Sequence, residues 1–332
     1  MNIAERTGLD AGAFHAEVVP AREPVVMRGL VAHWPAVAAG RESPQALAAY
    51  LDSRSAAAPV DVLTVPAHAQ GRIFYSDDFS GFNYTRDRTP LRDVNARLLR
   101  NLRFANRPTV VAQSALLAEC APRFKGENPM PLLGPEVEPR IWLGGRAVTP
   151  AHFDESRNIA CVVEGRRRFT LFPPEQVANL YIGPLGHAPT GTPISLVDFA
   201  RPDFTRFPRF REALDAARTA DLGPGDAIYI PPLWWHHVAS LEGYNALVNY
   251  WWKDPALGSR SALEALLHAL VTVGAMPPED RAAWSSLYGH FVFGDRDTAA
   301  AHIPAAQRGV LGPLTPELAS QVRAFLATRL KD

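Results

Sequence analysis

Val148-Thr-Pro-Ala-His152-Phe-Asp154-Glu-Ser-Arg-Asn158 is the stretch on which the reading of this chain turns. His152 and Asp154 stand two apart, and on extended backbone such residues project to the same face, as two ligands of one metal must. A third donor has to come from another strand. Gly225-Asp-Ala-Ile-Tyr-Ile-Pro-Pro-Leu-Trp-Trp-His236-His237-Val238 supplies an imidazole at the start of a second strand-like run. Two imidazoles and one carboxylate on one face of an octahedral ion leave three positions open, enough for a bidentate cosubstrate and dioxygen. That donor set is the one used by mononuclear non-haem Fe(II) oxygenases.

The sequence around these segments reads as a β-barrel or jelly roll. Arg140–Gly144, Ile159–Val163, Arg168–Phe172, Ala227–Ile230 and Ala246–Trp252 are β-branched or aromatic runs punctuated by Gly and Pro. The chain has thirty prolines, well above the ~5% of an average protein, which favours short elements joined by tight turns. Before the barrel, Glu23–Leu30 reads as a short strand leading into His33-Trp34-Pro35, and Ser43–Tyr50 as a helix capped by Ser43. After it the pattern turns helical. Ser261-Ala-Leu-Glu264 has capping-box spacing, and Leu263, Leu266, Leu267, Leu270 and Val271 form one apolar stripe. Thr315 followed by Pro316 opens a last helix that carries Leu318, Val322, Phe325 and Leu326 on one face.

Composition bounds the remaining choices. Lys plus Arg and Asp plus Glu both number 34, so no global field draws the chain to nucleic acid or to an anionic membrane. No apolar run approaches the ~18 residues of a membrane span, and Met1–Phe14 lacks the basic-then-apolar order of a signal peptide. A cytoplasmic protein with reduced cysteines is the expectation, since Cys120 and Cys161 are too few and too far apart for a disulfide framework or a zinc site.

Thr149-Pro-Ala-His152-Phe-Asp154-Glu155, Asn158, Gly165, Leu171-Phe-Pro-Pro-Glu-Gln176, Pro224-Gly-Asp226 through His237, and Val248-Asn249-Tyr-Trp251 occur in this order. Together they resemble the JmjC/cupin-like 2-oxoglutarate oxygenases, in the branch that includes the asparaginyl hydroxylase inhibiting hypoxia-inducible factor. The resemblance implies a mainly β fold with added helices. Its core is a double-stranded β-helix of the jelly-roll/cupin type over residues 131–255, with a mixed α/β region at 1–130 packed on it. A helical region at 256–332 is a candidate dimerisation surface. Carried over by position, His152, Asp154 and His236 are the implied iron ligands, and Thr149, Asn158, Arg167 and Asn249 the implied contacts of the cosubstrate. Strand alternation turns His237 to the opposite face.

Two departures stand out. The family usually has a lysine two residues after the glycine matching Gly165, where this chain has Arg167. Arginine keeps the charge and can grip a carboxylate with two donors. The family often adds a tyrosine from an earlier strand, and Pro108–Gln113 contains none. The implied cofactors are Fe(II) and 2-oxoglutarate, with oxidation of a protein or peptide side chain or of a small molecule. The rivals are a metal-dependent cupin enzyme that does not use 2-oxoglutarate and a non-catalytic metal-binding or sensing cupin. Phe74–Tyr84, dense in aromatic and acidic residues, is read as a loop lining the site entrance. The remaining histidines have no ligand spacing.

Overall fold

The structure is a computed structural model that describes residues 1–253 and 262–330. It divides into two units, Met1–Lys253 and Asp254–Asp332. In the first, thirteen strands build two sheets. They are β1 (Ala4–Arg6), β2 (Val25–Met27), β3 (Pro59–Val65), β4 (Thr85–Pro90), β5 (Thr109–Leu116), β6 (Pro139–Gly144) and β7 (Val148–His152). There follow β8 (Arg157–Glu164), β9 (Arg167–Phe172), β10 (Arg218–Leu222), β11 (Ala227–Ile230), β12 (Trp235–Ser240) and β13 (Asn245–Trp252). One sheet runs β1-β2-β11-β8-β13-β6-β5-β3-β4 and the other β10-β9-β12-β7. Apart from the parallel β1–β2 pair, the ladders of both sheets are antiparallel. The first 130 residues contribute β1–β5 to the larger sheet, so they share one compact unit with the jelly roll.

The continuous apolar runs follow from burial of the large sheet on both faces. In β8, Ile159, Cys161 and Val163 join an outer core with Phe14, Trp34, Leu47 and Leu98, whereas Ala160 and Val162 face the smaller sheet. β11 and β13 alternate in the same way: Tyr229 and Val248 point outward, and Ile228, Ile230 and Leu247 inward. The outer face of the smaller sheet is covered in turn by the segment between β9 and β10, where Phe207 and Phe210 pack near Phe172 and Trp235. Ser43 accepts from the Ala46 amide to cap the helix Pro44–Asp52. Cys120 and Cys161 are buried and free.

Gly165 makes the turn from β8 to β9 at φ 74°, where a Cβ would lie 2.4 Å from Asn245 Oδ1. A side chain there would have to displace the Asn245 amide and the Tyr244 carbonyl, and the turn sets the register that carries Arg167 inward.

The second unit contains the helices Ala262–Val271, Pro278–Phe291, Arg296–Ala300 and Pro316–Arg329. Thr315 caps the last by accepting from the Leu318 amide. The capping box proposed at Ser261 lies outside the described residues. No described helix is long and apolar enough to cross a membrane.

Candidate metal centre

The site lies between the two sheets. His152 closes β7, and His236, near the start of β12, is its register partner across the antiparallel ladder. The two rings are 4.1 Å apart. Beyond β7 the alternation persists: Phe153 turns outward onto Trp235, and Asp154 turns back towards the histidines. The Leu233 amide donates to the Asp154 carbonyl at 2.8 Å, tying this stretch to the loop before β12. His236 Nε2 and Asp154 Oδ2 are 3.6 Å apart, and one donor atom from each of His152, Asp154 and His236 lies within 4.8 Å of the others.

The histidines are held in the form a metal needs. Nδ1 of His152 is 2.9 Å from the Pro150 carbonyl and Nδ1 of His236 is 3.0 Å from the Trp234 carbonyl. A neutral imidazole donates from Nδ1 in such a contact, which leaves the Nε2 lone pair free for a cation. Burial, reinforced by the neighbouring His236, pulls the His152 pKa well below the usual histidine range. His152 is therefore neutral at pH 7.

Thr149, Asn158, Arg167 and Asn249 line the same cavity as the triad. Its remaining walls are Trp142, Ala160, Phe169, Ile230, Val238, Leu247 and Trp251. Asn158 donates to Asp154 Oδ2 at 3.2 Å and accepts from Asn249 at 3.3 Å. Arg167 is only 9% exposed, enough to rule out a solvent-facing guanidinium. Nη2 reaches the Trp142 carbonyl at 3.4 Å, and Nε is buried without an acceptor. Burial lowers its pKa only to about 10, so the group stays charged at pH 7. Among the described residues no carboxylate lies within 4.0 Å of it.

His237 lies on the opposite face of β12, stacked 4.5 Å from Phe199. The Phe74–Tyr84 loop lies on that side too, which corrects its expected place at the site entrance. Arg72 and Ile73 bridge to Val148 along β7, and Tyr75 and Tyr84 donate to the carbonyls of His187 and Pro189. Phe74, Tyr75 and His237 line an outer cavity of about 510 Å³, and none of the loop's residues lines the cavity of the triad. The loop follows the outer surface of β7 because Arg72 and Ile73 pair there and its Phe82 ring stacks on His187.

Two polar contacts of the site escaped the sequence reading. Trp251 Nε1 donates to Asp154 Oδ2 at 2.9 Å, and Trp142 Nε1 donates to Asn249 Oδ1 at 2.9 Å. The signal was present: Trp251 is two residues from Asn249 on β13, hence on the same face.

Comparison with known proteins agrees with this architecture. The profile of the family described as "Cupin-like domain" matches residues 11–257. Human HSPB1-associated protein 1 is 33% identical over 151 residues, 44% of this chain and 30% of that protein. Lysine-specific demethylase JMJ31 of Arabidopsis thaliana is 33% identical over 116 residues, 34% of this chain and 20% of the relative. JmjC domain-containing protein D of Dictyostelium discoideum is 39% identical over 107 residues, 32% and 23% of the two chains. The matches thus span under a third of each of these relatives.

Proposed function

We propose, for a chain that belongs to the cupin-like domain family, that it is an Fe(II)- and 2-oxoglutarate-dependent oxygenase that hydroxylates a protein or peptide side chain or a small molecule. The observation that carries this reading is Arg167. A buried guanidinium with no acid partner is costly, and an anion in the cavity removes the cost. The same cavity holds the His152, Asp154 and His236 donors, so one ligand can reach both ends. A dicarboxylate with a chelating keto acid at one end and a second carboxylate at the other has that form.

The donor set fits a divalent iron: His152 and His236 present Nε2 lone pairs, and Asp154 presents a carboxylate. In this reading the three hold Fe(II), Arg167 holds the far carboxylate of 2-oxoglutarate, and Thr149, Asn158 and Asn249 complete the polar lining. When bound, the metal and cosubstrate supply the oxidising chemistry, with dioxygen consumed and succinate and carbon dioxide released. The chain's own part is placement and exclusion of water. Phe169, Ile230, Val238 and Leu247 form apolar walls that leave the cosubstrate few competing polar partners, so its orientation is set by Arg167 at one end and the triad at the other.

One relative named for a JmjC domain and another named as a lysine-specific demethylase support the oxygenase class. The side-chain hydroxylase reading rests on the likeness to the asparaginyl hydroxylase branch. The unpaired Arg167 favours 2-oxoglutarate use over a cupin enzyme that dispenses with it. Incubation of the purified protein with Fe(II), ascorbate, oxygen and 2-oxoglutarate should release succinate above a His152→Ala control. No succinate, together with no calorimetric binding of 2-oxoglutarate to the Mn(II)-loaded protein, would overturn the proposal.

A further inference from the structure

We propose that Trp251, and a hydrogen-bond chain headed by Trp142, are positioning residues that orient Asp154 before any metal arrives. The inference rests on the reading of His152, Asp154 and His236 as metal ligands. Asp154 Oδ2 accepts from two neutral donors, Trp251 Nε1 at 2.9 Å and Asn158 Nδ2 at 3.2 Å. This is the same oxygen that lies 3.6 Å from His236 Nε2. For the three side chains to share one ion, Oδ2 has to stay beside the two imidazoles, within the 4.8 Å that the donor atoms span. The two donors hold the carboxylate there.

The direction of the second donor is set at a distance. An indole can only donate, so Trp142 Nε1 fixes the Asn249 amide with its oxygen towards the ring. The Asn249 NH2 group then faces Asn158 Oδ1 at 3.3 Å, which leaves the Asn158 NH2 group for Asp154. Flipping either amide would set oxygen against oxygen or NH2 against NH2. Every bond in the chain therefore points at the carboxylate, from Trp142 through Asn249 and Asn158. The two indoles meet edge to face at 6.1 Å and 87°, which fixes the angle between the donors at the two ends.

Loss of a residue that orients a metal ligand typically weakens metal binding about 10- to 100-fold. Competition with a chelator under anaerobic conditions, using Mn(II) or Co(II) on the full chain, should show a weakening in that range for Trp251→Phe. Trp142→Phe should show a smaller loss in the same direction. The absorption spectrum of Co(II)-loaded Trp251→Phe should differ from that of wild type, because the carboxylate meets the ion at another angle. Trp251→His, which retains a ring N–H, should recover part of the affinity. A role in packing alone would lower the melting temperature in chelator without changing the cobalt spectrum. If Trp251→Phe does not fold, Asn158→Ala removes the other donor while sparing the ring contacts, and its metal affinity should fall likewise. Wild-type affinity and cobalt spectrum in a folded Trp251→Phe would overturn the inference while leaving the metal centre intact. Absence of metal binding by wild type would overturn both.

Discussion

Arg167 donates to the backbone carbonyl of Trp142 at 3.4 Å, while its Nε is buried without an acceptor in the cavity shared with His152, Asp154 and His236. A carbonyl offers no negative charge, so the guanidinium is held in place without being neutralised. On the proposed function the cosubstrate completes it. Arg167→Ala should weaken 2-oxoglutarate binding to the Mn(II)-loaded, oxygen-free protein by about 2 to 5 kcal/mol, as expected when one half of a buried charge pair is removed. Metal affinity should change far less. Arg167→Lys should recover only part of the loss, because the shorter side chain offers no planar fork. Calorimetric titration decides the matter, and equal cosubstrate affinity in Arg167→Ala and wild type would remove Arg167 from the site.

The second expectation concerns the metal. His152→Ala, Asp154→Ala and His236→Ala should each lose most bound iron yet remain folded, because none of these side chains belongs to the apolar cores. His237→Ala should keep its iron, since that ring stacks on Phe199 on the other face of β12. Elemental analysis of the purified variants tests all four. Iron kept by His236→Ala and lost by His237→Ala would reverse the assignment.

A third concerns pH. Burial pushes the Glu164 carboxyl up to about 7, and nearby Glu242 adds to the rise. A carboxyl whose folded pKa exceeds its unfolded value contributes stability that is fully present below the unfolded pKa, ~4.3 for glutamate. That contribution is lost as the pH rises through about 7. Glu164→Gln cannot ionise, so its melting temperature relative to wild type should climb between these two values and then level off. A difference independent of pH would show that Glu164 is ionised at little cost.

Self-association is the fourth. The helices of the second unit expose Leu266, Leu270 and Val271, then Trp284, Leu287 and Phe291, then Phe325 and Leu326. Apolar surface on this scale is more than isolated exposed residues. We propose that a second copy of the chain covers it, in the two-fold arrangement commonest among oligomers. Light scattering at micromolar concentration should report a dimer, and replacing Leu266, Leu270 and Phe325 by Ser should yield monomers. A monomeric wild type would overturn this.

The strands that carry the site were legible because their physics is local. Apolar runs bounded by Gly and Pro located β6, β8, β9, β11 and β13 to within about two residues. Alternation alone placed Asp154 on the side of His152, and His237 opposite His236. Two of the N-terminal strands escaped notice: β3 and β4 pair within the large sheet through contacts remote in sequence, which no local pattern announces.

Tertiary structure decided what depends on meeting across the fold. Pairing of β7 with β12 brings the two imidazoles to 4.1 Å, and no spacing in the chain encodes that distance. Closure of the two sheets over Arg167 withholds both water and an acid partner, turning one of three consecutive arginines into a buried, unpaired cation. The tryptophans show the division most clearly. A hydrogen bond requires its acceptor in place, and Asp154 reaches Trp251 only when β7 and β13 are packed in the same barrel. Sequence by itself determined the donor types, their faces and the strands that carry them. Folding determined their distances, their burial and the direction of every hydrogen bond that holds the carboxylate, because those quantities belong to pairs of residues far apart in the chain.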